Sequence, residues 1–364
     1  MTNNSPRIVQ IVQPGPMTLV QDRGRFGFQK LGVSVSGAVD IDSFDLGNLL
    51  VGNDPDAACL EVLLGGLEIA FLGDSVIAVT GAESDVTIDG VPISLDVSYF
   101  VHSDARLELG RATGGLRTYI AVSGGIDIPQ TLGSRSTHIA SKIGGVDGRL
   151  LVVGDVLNLG EPSDLAASGL LLEGETTNCP SGEISVRIMM GPQDDEFSDA
   201  GIESLLNSSY VVSDQSNRQG LRLDGPVVES KSGRYDIVSD AVVNGSIQVP
   251  GDGKPIILLA DRQTTGGYAK IATIATVDLP RLGQATPGTN ITFIAITVEE
   301  SQELLAARSE RFKPDNLAGI VEKVSLKVDG DDIAVGVAEN GESALAAVDG
   351  KTYPITVDEY TPAE

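Results

Sequence analysis

Residues 255–273 read PIILLADRQTTGGYAKIAT, and this stretch carries the pattern that predicts the fold. The apolar run PIILLA ends abruptly in polar residues and a Gly-Gly pair, which is typical of a β-strand that leads into a turn. A similar transition occurs earlier, where residues 119–122 run into Ser-Gly-Gly. Each of these segments is followed by a strand-like stretch that begins at or next to a glycine, at 154–160 and 287–297. The chain is therefore predicted to contain two related β units.

Short runs rich in Val, Ile and Thr recur along the chain between glycines, prolines and aspartates, which indicates many short strands. The predicted strands are residues 67–71, 76–80, 85–88, 116–122, 150–153, 156–159, 184–190, 255–260 and 290–297. Helical patterns are few: residues 40–50 with Asp40 as N-cap, a short segment at 194–197, and residues 299–311. These patterns predict a mainly β protein with a few short helices.

Changes in composition predict where the domains begin and end. Residues 161–183 are rich in Pro, Ser, Gly and Glu, which is typical of a linker. We expect one β domain at 1–165 and a second at 184–312. Residues 313–364 differ again, because 11 acids and 3 lysines within 314–364 accompany strand-like runs separated by Asp-Gly turns. This tail is predicted to be a small acidic β-rich extension on the surface.

Charge and cysteine content limit the classes of function. The net charge of −26 disfavours binding to nucleic acid or to an anionic membrane. The two cysteines, Cys59 and Cys179, have no metal-like spacing, and with two histidines no metal site is expected. No leader or long apolar segment is visible, so we expect a cytoplasmic protein. Gly350-Lys351-Thr352 lacks the first glycine of a phosphate-binding loop, because position 345 is leucine.

Two glycine-rich segments of the first half carry candidate binding residues. Residues 14–40 contain Gln21, Asp22 and Arg25 among glycines that let a backbone approach a ligand closely. An equally good interpretation is that Asp22 and Arg25 form a salt bridge that orders the loop. In the second segment, Arg135 lies between two serines and either holds an anion or ties a turn.

The polar stretch that follows PIILLA is the strongest candidate site, because functional groups at the end of a rigid strand are well positioned. We predict Asp261, Arg262 and Lys270 as catalytic residues. Neighbouring polar and glycine residues are predicted to bind substrate: Gln263, Thr264, Thr265, Gly266 and Gly267. The segments GPQDDEF (191–197) and SDQSNRQGLRLDGP (213–226) add Gln193 and Arg218 as further candidate binding residues.

Several of these segments together resemble one protein family. They are VQDRGRFGFQKLGVSVSGAVD (20–40), AVTGA (78–82), AVSGGIDIPQTLGSRST (121–137), GPQDDEF, GSIQVPGDGKPIILLADRQTTGGYAKIAT (245–273) and DLPRLGQATPG (278–288). In order and spacing they are similar to the family of the 5-oxoprolinase C subunit, also called the biotin-dependent carboxyltransferase or allophanate hydrolase subunit 2 family. The resemblance runs from about residue 8 to 312. Asn217 and Gln219 depart from its usual Asp and Met, and the acidic tail is an addition.

The resemblance implies two cyclophilin-like β-barrels. It also implies a protein that works with two other subunits, a homologous one called B and a separate one called A, to open 5-oxo-L-proline to L-glutamate. ATP with Mg²⁺ would serve the whole complex, and no cofactor would be attached to this chain. Two alternatives stay open from the sequence. One is a carboxyltransferase subunit served by a separate biotinylated carrier, and the other is a non-catalytic antagonist of a kinase-inhibitor protein.

Overall fold

The computed structural model describes residues 6–173 and 182–319, and beyond them the backbone of four strands. Eleven strands form two antiparallel sheets in the first half of the chain. They are β1 (Ile8–Pro14), β2 (Met17–Gln21), β3 (Cys59–Leu63), β4 (Leu67–Phe71), β5 (Ser75–Glu83), β6 (Val86–Ile88), β7 (Val91–Ile93), β8 (Ser98–Val101), β9 (Arg106–Leu109), β10 (Gly114–Val122) and β11 (Val156–Asn158). The sheet orders are β11-β1-β4-β9-β6-β7 and β2-β3-β10-β5-β8.

The two sheets of the first half enclose one apolar core. In β4, Leu67, Ile69 and Phe71 are buried while Glu68 and Ala70 are less so, the alternation of a strand with one face on the core. Strand β10 is buried along most of its length, because its second face is covered by helix α1 (Ile41–Leu50). Both sheets contribute to the same core cluster, so the first half folds around a shared interior.

Helix α1 begins where the sequence predicts it. The Asp40 carboxylate accepts hydrogen bonds from the backbone N–H groups of Asp42 and Ser43, which is the N-cap arrangement. A Cβ atom at Gly47 would lie 3.1 Å from the Cβ of Ala121 in β10. Glycine therefore spares the helix and the sheet a tight contact at this position.

The second half is a closed barrel with a hairpin outside it. The short strand β12 (Leu170–Leu172) precedes the barrel, and β22 (Leu317–Gly319) follows it and pairs with β12. The strands between them are β13 (Glu183–Met190), β14 (Tyr210–Val212), β15 (Gly220–Asp224), β16 (Asp236–Ala241), β17 (Ser246–Gln248), β18 (Ile256–Leu258), β19 (Thr265–Tyr268), β20 (Lys270–Ile274) and β21 (Asn290–Ala295). Seven of them close in the order β13-β20-β17-β18-β15-β14-β21, and β16 pairs with β19.

The helices of the second half are α2 (Asp199–Asn207), α3 (Leu279–Gly283) and α4 (Val298–Arg311). Helices α3 and α4 contact the first half, whereas α2 packs against the barrel. Short 3-10 turns lie at Gln29–Leu31 in the first half and at Asp194–Glu196, Thr276–Asp278 and Pro314–Asn316 in the second. Helix α4 starts with a capping box between Thr297 and Glu300. Arg308 near its end forms ion pairs with Asp42 and Asp45 of α1, at 2.5 and 2.8 Å. The two halves are thus joined by side-chain contacts as well as by the chain.

The acidic tail forms a separate antiparallel sheet of four strands. They are β23 (Lys323–Val328), β24 (Asp331–Val337), β25 (Ala344–Val348) and β26 (Lys351–Ile355), paired in chain order. The prediction of a mainly β fold with a β-rich extension is confirmed. The domain limits at 165, 184 and 312 stay predictions.

Most of the predicted strands and helices are present, and one strand prediction is wrong. Residues 150–152 are irregular and a turn follows at 153–154, so no strand forms here. The carboxylate of Asp155 accepts a hydrogen bond from the N–H of Val152 at 2.8 Å, which satisfies that backbone donor within the turn. Leu151 is buried as a single apolar anchor. The apolar pattern therefore reflects one buried side chain and not a paired strand. Helices α2 and α3 were not predicted.

Candidate functional site

The structure gathers the predicted site residues into two clusters. The first is the junction, where the first half meets the barrel, centred on Arg218, Asp261 and Glu61. The second surrounds the hairpin formed by β16 and β19. The junction side holds Gln21, Asp22, Arg25, Arg135, Arg218 and Asp261, and the hairpin side holds Gln193, Gln263, Thr264, Thr265, Gly266, Gly267 and Lys270. Arg262 lies in the chain between them.

A buried charge network occupies the centre of the junction. Arg218 donates from Nε and Nη2 to the two carboxylate oxygens of Asp261, at 2.8 and 3.0 Å. Its Nη1 donates to Glu61 of β3, and Nη2 also donates to the Gly37 carbonyl oxygen at 2.7 Å. All three charged side chains are buried. Residues from both halves therefore give each nitrogen of one guanidinium group a hydrogen-bond partner.

The loop before α1 brings the first half to Asp261. Ser36 donates from its hydroxyl group to Asp261 Oδ1 at 2.7 Å, and its N–H donates to the Ala260 carbonyl oxygen at 3.1 Å. Ser36 has a φ of 59°, a conformation that few residues other than glycine adopt. The polar residues after β18 thus serve as the docking point for this loop.

Electrostatics keep Asp261 ionised. Burial alone would raise the pKa of this carboxyl group, but the charge and hydrogen bonds of Arg218 outweigh burial, and the net pKa is lowered. Both oxygens are occupied by Arg218 and Ser36. This geometry suits Asp261 to orienting its neighbours as a fixed negative charge.

A second layer of the junction escaped the sequence analysis. Glu61 Oε2 accepts a hydrogen bond from the Tyr119 hydroxyl group at 2.7 Å, and the Tyr119 oxygen accepts from the Asp40 N–H at 2.9 Å. Gln284 of the second half accepts from the N–H of Arg117 at 2.9 Å and donates to Asp40 at 2.6 Å. Burial raises the pKa of Asp40 to about 6. A glutamate inside the apolar strand CLEVL was the one available sequence signal.

Asp22 ties the glycine-rich loop to the segment around Arg135. Its carboxylate accepts from the hydroxyl group of Ser134 at 2.7 Å and from the backbone N–H of Arg135. The Arg135 guanidinium group pairs with Asp127 at 2.5 Å. Arg25 donates instead to two carbonyl oxygens, so Asp22 binds the 134–136 segment rather than Arg25.

Three buried polar atoms near this loop have no hydrogen-bond partner within the described residues. They are Gln21 Oε1, Arg25 Nη1 and His138 Nε2. Gln21 donates to the Thr137 carbonyl oxygen at 3.0 Å and Arg25 donates to the Ser136 carbonyl oxygen at 2.7 Å, so both side chains border residues 136–138. Buried polar atoms normally have a partner, so a water molecule or a small polar ligand would satisfy these three.

Lys270 has a partner on the hairpin. Its side chain is 3% exposed, and Nζ lies 3.0 Å from the carboxylate of Asp240. Gln193 supports this position, because its side chain accepts from the Lys270 N–H at 3.1 Å. Thr265, Gly266 and Gly267 belong to β19, and Thr264 accepts a backbone hydrogen bond from Val242 at 3.2 Å. The polar stretch after β18 therefore turns back to form an arm outside the barrel.

Arg262 is a buried cation without a carboxylate. Its side chain is 6% exposed, Nε has no partner, and Nη1 makes only a 3.5 Å contact with the Leu259 carbonyl oxygen. Burial lowers the pKa of its guanidinium group. No acid forms an ion pair with Arg262 among residues 6–173 and 182–319. An anion that reached this guanidinium group would satisfy a charge that the chain itself leaves unpaired.

The described residues contain neither a cluster of metal ligands nor a helix suited to a membrane. No group of three or more His, Cys, Asp or Glu side chains in that part of the chain could hold a metal ion. No described helix is long and apolar enough to span a membrane.

The protein is a two-part β protein, in which the polar end of one barrel strand docks against a second β unit. Comparison with known proteins identifies its family. The model of the carboxyltransferase domain, subdomain A and B, matches residues 31–295. The chain belongs to this family. The same assignment follows from a relative, the C subunit of 5-oxoprolinase from Escherichia coli strain K12. It is 38% identical over 308 residues, which covers 84% of this chain and 95% of the relative.

Other similar proteins fall into two groups. The C subunit of 5-oxoprolinase from Haemophilus influenzae is 33% identical over 320 residues, covering 87% of this chain and 99% of the relative. Among solved structures, the K. lactis urea amidolyase has a TM-score of 0.77 and 28% identity, and the match covers 95% of this chain. TTHA0988 has a TM-score of 0.70 and 33% identity over 80% of this chain. The chain spans only 23% and 56% of those two structures.

Proposed function

We propose that this chain is the C subunit of an ATP-dependent 5-oxoprolinase that opens 5-oxo-L-proline to L-glutamate. One observation carries the proposal: 38% identity across 95% of the C subunit of the E. coli 5-oxoprolinase. The likeness thus extends over almost the whole of a separate protein chain and is not confined to one domain of a larger enzyme.

The reaction requires activation of an unreactive amide. A five-membered lactam resists hydrolysis because its C–N bond is stabilised by resonance. ATP, bound with Mg²⁺ by the complex, supplies a phosphoryl group for the lactam oxygen, which makes the carbon open to attack by water. The ring C–N bond then breaks and phosphate leaves, so the site must neutralise charge on oxygen throughout.

Arg262 is the residue of this chain best suited to that task. Its guanidinium group is buried and has no carboxylate partner in the described part of the chain, so it fits a phosphate or carboxylate oxygen. Asp261 would orient this region through its bonds to Arg218 and Ser36. Lys270 would contribute charge from the hairpin, balanced by Asp240. The threonines and glycines at 264–267 would offer hydrogen bonds to oxygens that gain charge.

The complex is proposed to contain the A and B subunits as well. Support comes from the relatives, since TTHA0988 and the urea amidolyase carry much additional chain beyond the matched part. Such additional segments on the same chain suggest that the matched part works beside other units.

The proposal is tested by reconstitution. The chain is co-expressed with candidate A and B subunits, the complex is purified, and glutamate release from 5-oxo-L-proline is followed with and without ATP. We expect ATP-dependent release that disappears when this chain is omitted. Arg262→Ala should lower the rate by roughly 100-fold or more, a typical loss for one charge-stabilising donor, while Arg262→Lys should retain part of the rate. An intact complex without ATP-dependent release would overturn the proposal.

A second candidate is a carboxyltransferase subunit. The family model carries that description, and the urea amidolyase structure covers 95% of this chain. No Met-Lys pair that could accept biotin occurs in the sequence, so the carrier would be another protein. Transfer of labelled carboxyl from a biotinylated carrier, in the absence of oxoprolinase activity, would favour this function. If neither activity appears, a non-catalytic partner of a kinase-inhibitor protein becomes the hypothesis to test.

A further inference from the structure

A groove lies on the outer face of the barrel, beside the hairpin. Its volume is about 170 Å³, and its floor is formed by Ile256 and Leu258 of β18. In the sheet register, Arg222 of β15 and Gln248 of β17 both lie opposite Ile256. These three side chains therefore share one face of the sheet, while Ile257 points into the barrel core. The groove is termed the outer groove.

The lining combines one cation with amides and a phenol. The side chains above the apolar floor are Arg222, four amides (Asn217, Gln219, Gln248 and Gln263) and Tyr268. Internal hydrogen bonds orient part of this set. Gln263 donates to Gln248 Oε1 at 3.2 Å, and Gln248 donates to the Tyr268 carbonyl oxygen at 3.3 Å. The Asn217 side-chain oxygen accepts from the Gln219 N–H at 2.7 Å.

Several groups of the groove have no partner of their own. Within the described ranges, the Arg222 guanidinium group forms no ion pair, although the chain carries a net charge of −26. The Asn217 side-chain nitrogen, the Gln263 side-chain oxygen and the Tyr268 hydroxyl group make no hydrogen bond there either. The groove thus presents a cation, two further donors and an amide acceptor around an apolar floor.

We propose that the outer groove binds a small carboxylate that carries a planar amide, and that it selects the lactam substrate. The guanidinium group of Arg222 pairs with the carboxylate, since a planar fork matches two carboxylate oxygens. The amide acceptor of Gln263 takes the ring N–H, and a donor such as Asn217 faces the ring carbonyl oxygen. The apolar ring carbons cover Ile256 and Leu258. This assignment rests on the proposed function for the identity of the lactam, but its residues are independent of Arg262 and the junction.

The size of the groove agrees with this class of ligand. A groove of about 170 Å³ offers room for a compact ring compound. Four amide side chains make a neutral lining, which suits an amide better than a second phosphate. Arg222 then supplies the single positive charge that one carboxylate needs.

Binding to the assembled complex, measured by calorimetry without ATP, tests the inference with three ligands. These are 5-oxo-L-proline, 2-pyrrolidone, which lacks the carboxylate, and L-proline, which lacks the ring carbonyl oxygen. Arg222→Gln should weaken 5-oxo-L-proline roughly tenfold to hundredfold and leave 2-pyrrolidone unchanged. Gln263→Leu should weaken both lactams. Arg234→Gln is the matched control, because Arg234 is an exposed arginine of the same half, outside the groove.

The outcomes separate this inference from the proposed function. Equal binding of 5-oxo-L-proline by Arg222→Gln and Arg234→Gln would overturn the groove assignment, even if the complex hydrolyses the lactam. Arg222-dependent binding in a complex that releases no glutamate would support the groove assignment and overturn the oxoprolinase function. Equal affinity of the wild-type complex for L-proline and 5-oxo-L-proline would also overturn the assignment, because the amide would then play no part.

Discussion

The junction and the outer groove differ sharply, although one residue separates Asp261 of the first from Gln263 of the second in the chain. In the junction, Arg218 pairs with both Asp261 and Glu61, and all three are buried. In the groove, Arg222 has no ion pair within the described residues, and its side chain is exposed. Two arginines four positions apart thus have opposite environments.

This difference distinguishes polar residues that stabilise the fold from polar residues that are available to bind a ligand. A buried charge without a partner is costly, so the charges in the junction are paired within the chain, and the unpaired Arg262 beside them is the exception. Groups on an open groove keep their water until a ligand replaces it. Satisfied and buried groups therefore hold the halves together, whereas accessible groups without partners are free to recognise a small molecule.

The largest expected effect is loss of the junction cation. Arg218→Ala should lower the free energy of unfolding by about 3–5 kcal/mol, because it leaves Asp261 buried without its cation and Glu61 with only the longer 3.6 Å contact to Arg117. Urea unfolding followed by circular dichroism measures this change. Arg222→Ala is the control and should change stability by less than about 0.5 kcal/mol. If Arg218→Ala and Arg222→Ala lowered the free energy of unfolding by similar amounts, the junction and the outer groove would not differ in their contribution to stability.

A smaller loss is expected from the second layer of the junction. Tyr119→Phe removes a hydroxyl group that donates to Glu61 and accepts from the Asp40 N–H, and it leaves the ring packed. We expect a destabilisation of about 1–3 kcal/mol, since a buried carboxylate oxygen and a buried donor lose a partner. The same urea titration measures it. An unchanged midpoint would show that the layer is not needed to hold the halves together.

The smallest effect concerns Asp96, a carboxyl group outside both the central charge network of the junction and the outer groove. Asp96 Oδ1 is buried without a hydrogen bond among the described residues. Burial and the nearby Asp40, opposed by Arg311, raise the pKa of Asp96 to about 7. Because the folded-state pKa is raised, the carboxylate destabilises the fold above about pH 7, and the penalty fades as pH falls towards the ordinary value of 3.8.

Asp96→Asn should therefore stabilise the protein by roughly 1 kcal/mol more at pH 8 than at pH 5. This gain is smaller than the free energy that corresponds to the whole pKa shift, because residue 96 is only half-buried and solvent screens its charge. Unfolding curves at both pH values provide the measurement. Asn also tolerates the φ of 61° at this position. A gain that is the same at both pH values would assign the effect to packing instead of charge.

Local patterns predicted much of the fold. Alternation of apolar and polar residues located β4, and the Asp40 cap located the start of α1. The same reasoning failed at residues 150–153, where one buried leucine imitated a strand. It also missed α2 and α3, whose short sequences have few periodic positions.

The candidate site was predicted less completely. Its composition identified the polar stretch after β18 as a candidate site. Composition did not predict that some of its residues would lie in the junction and others in the hairpin arm. Glu61, Tyr119 and Gln284 come from distant strands and helices, and no local pattern connects them with Arg218. Asn217 and Gln219, which depart from the family pattern, acquire a role only where they line the outer groove.

The sequence alone determined the mainly β class, the acidic charge and the family, because these depend on composition, short-range alternation and the order of motifs. Only the tertiary structure decided which polar residues are satisfied and which remain available. Pairing depends on groups brought together from both halves, as when Ser36 and Glu61 of the first half meet Asp261 and Arg218 of the second. The identity of a charged residue does not reveal whether it holds the fold or awaits a ligand, since that follows from burial and from the partners that folding supplies.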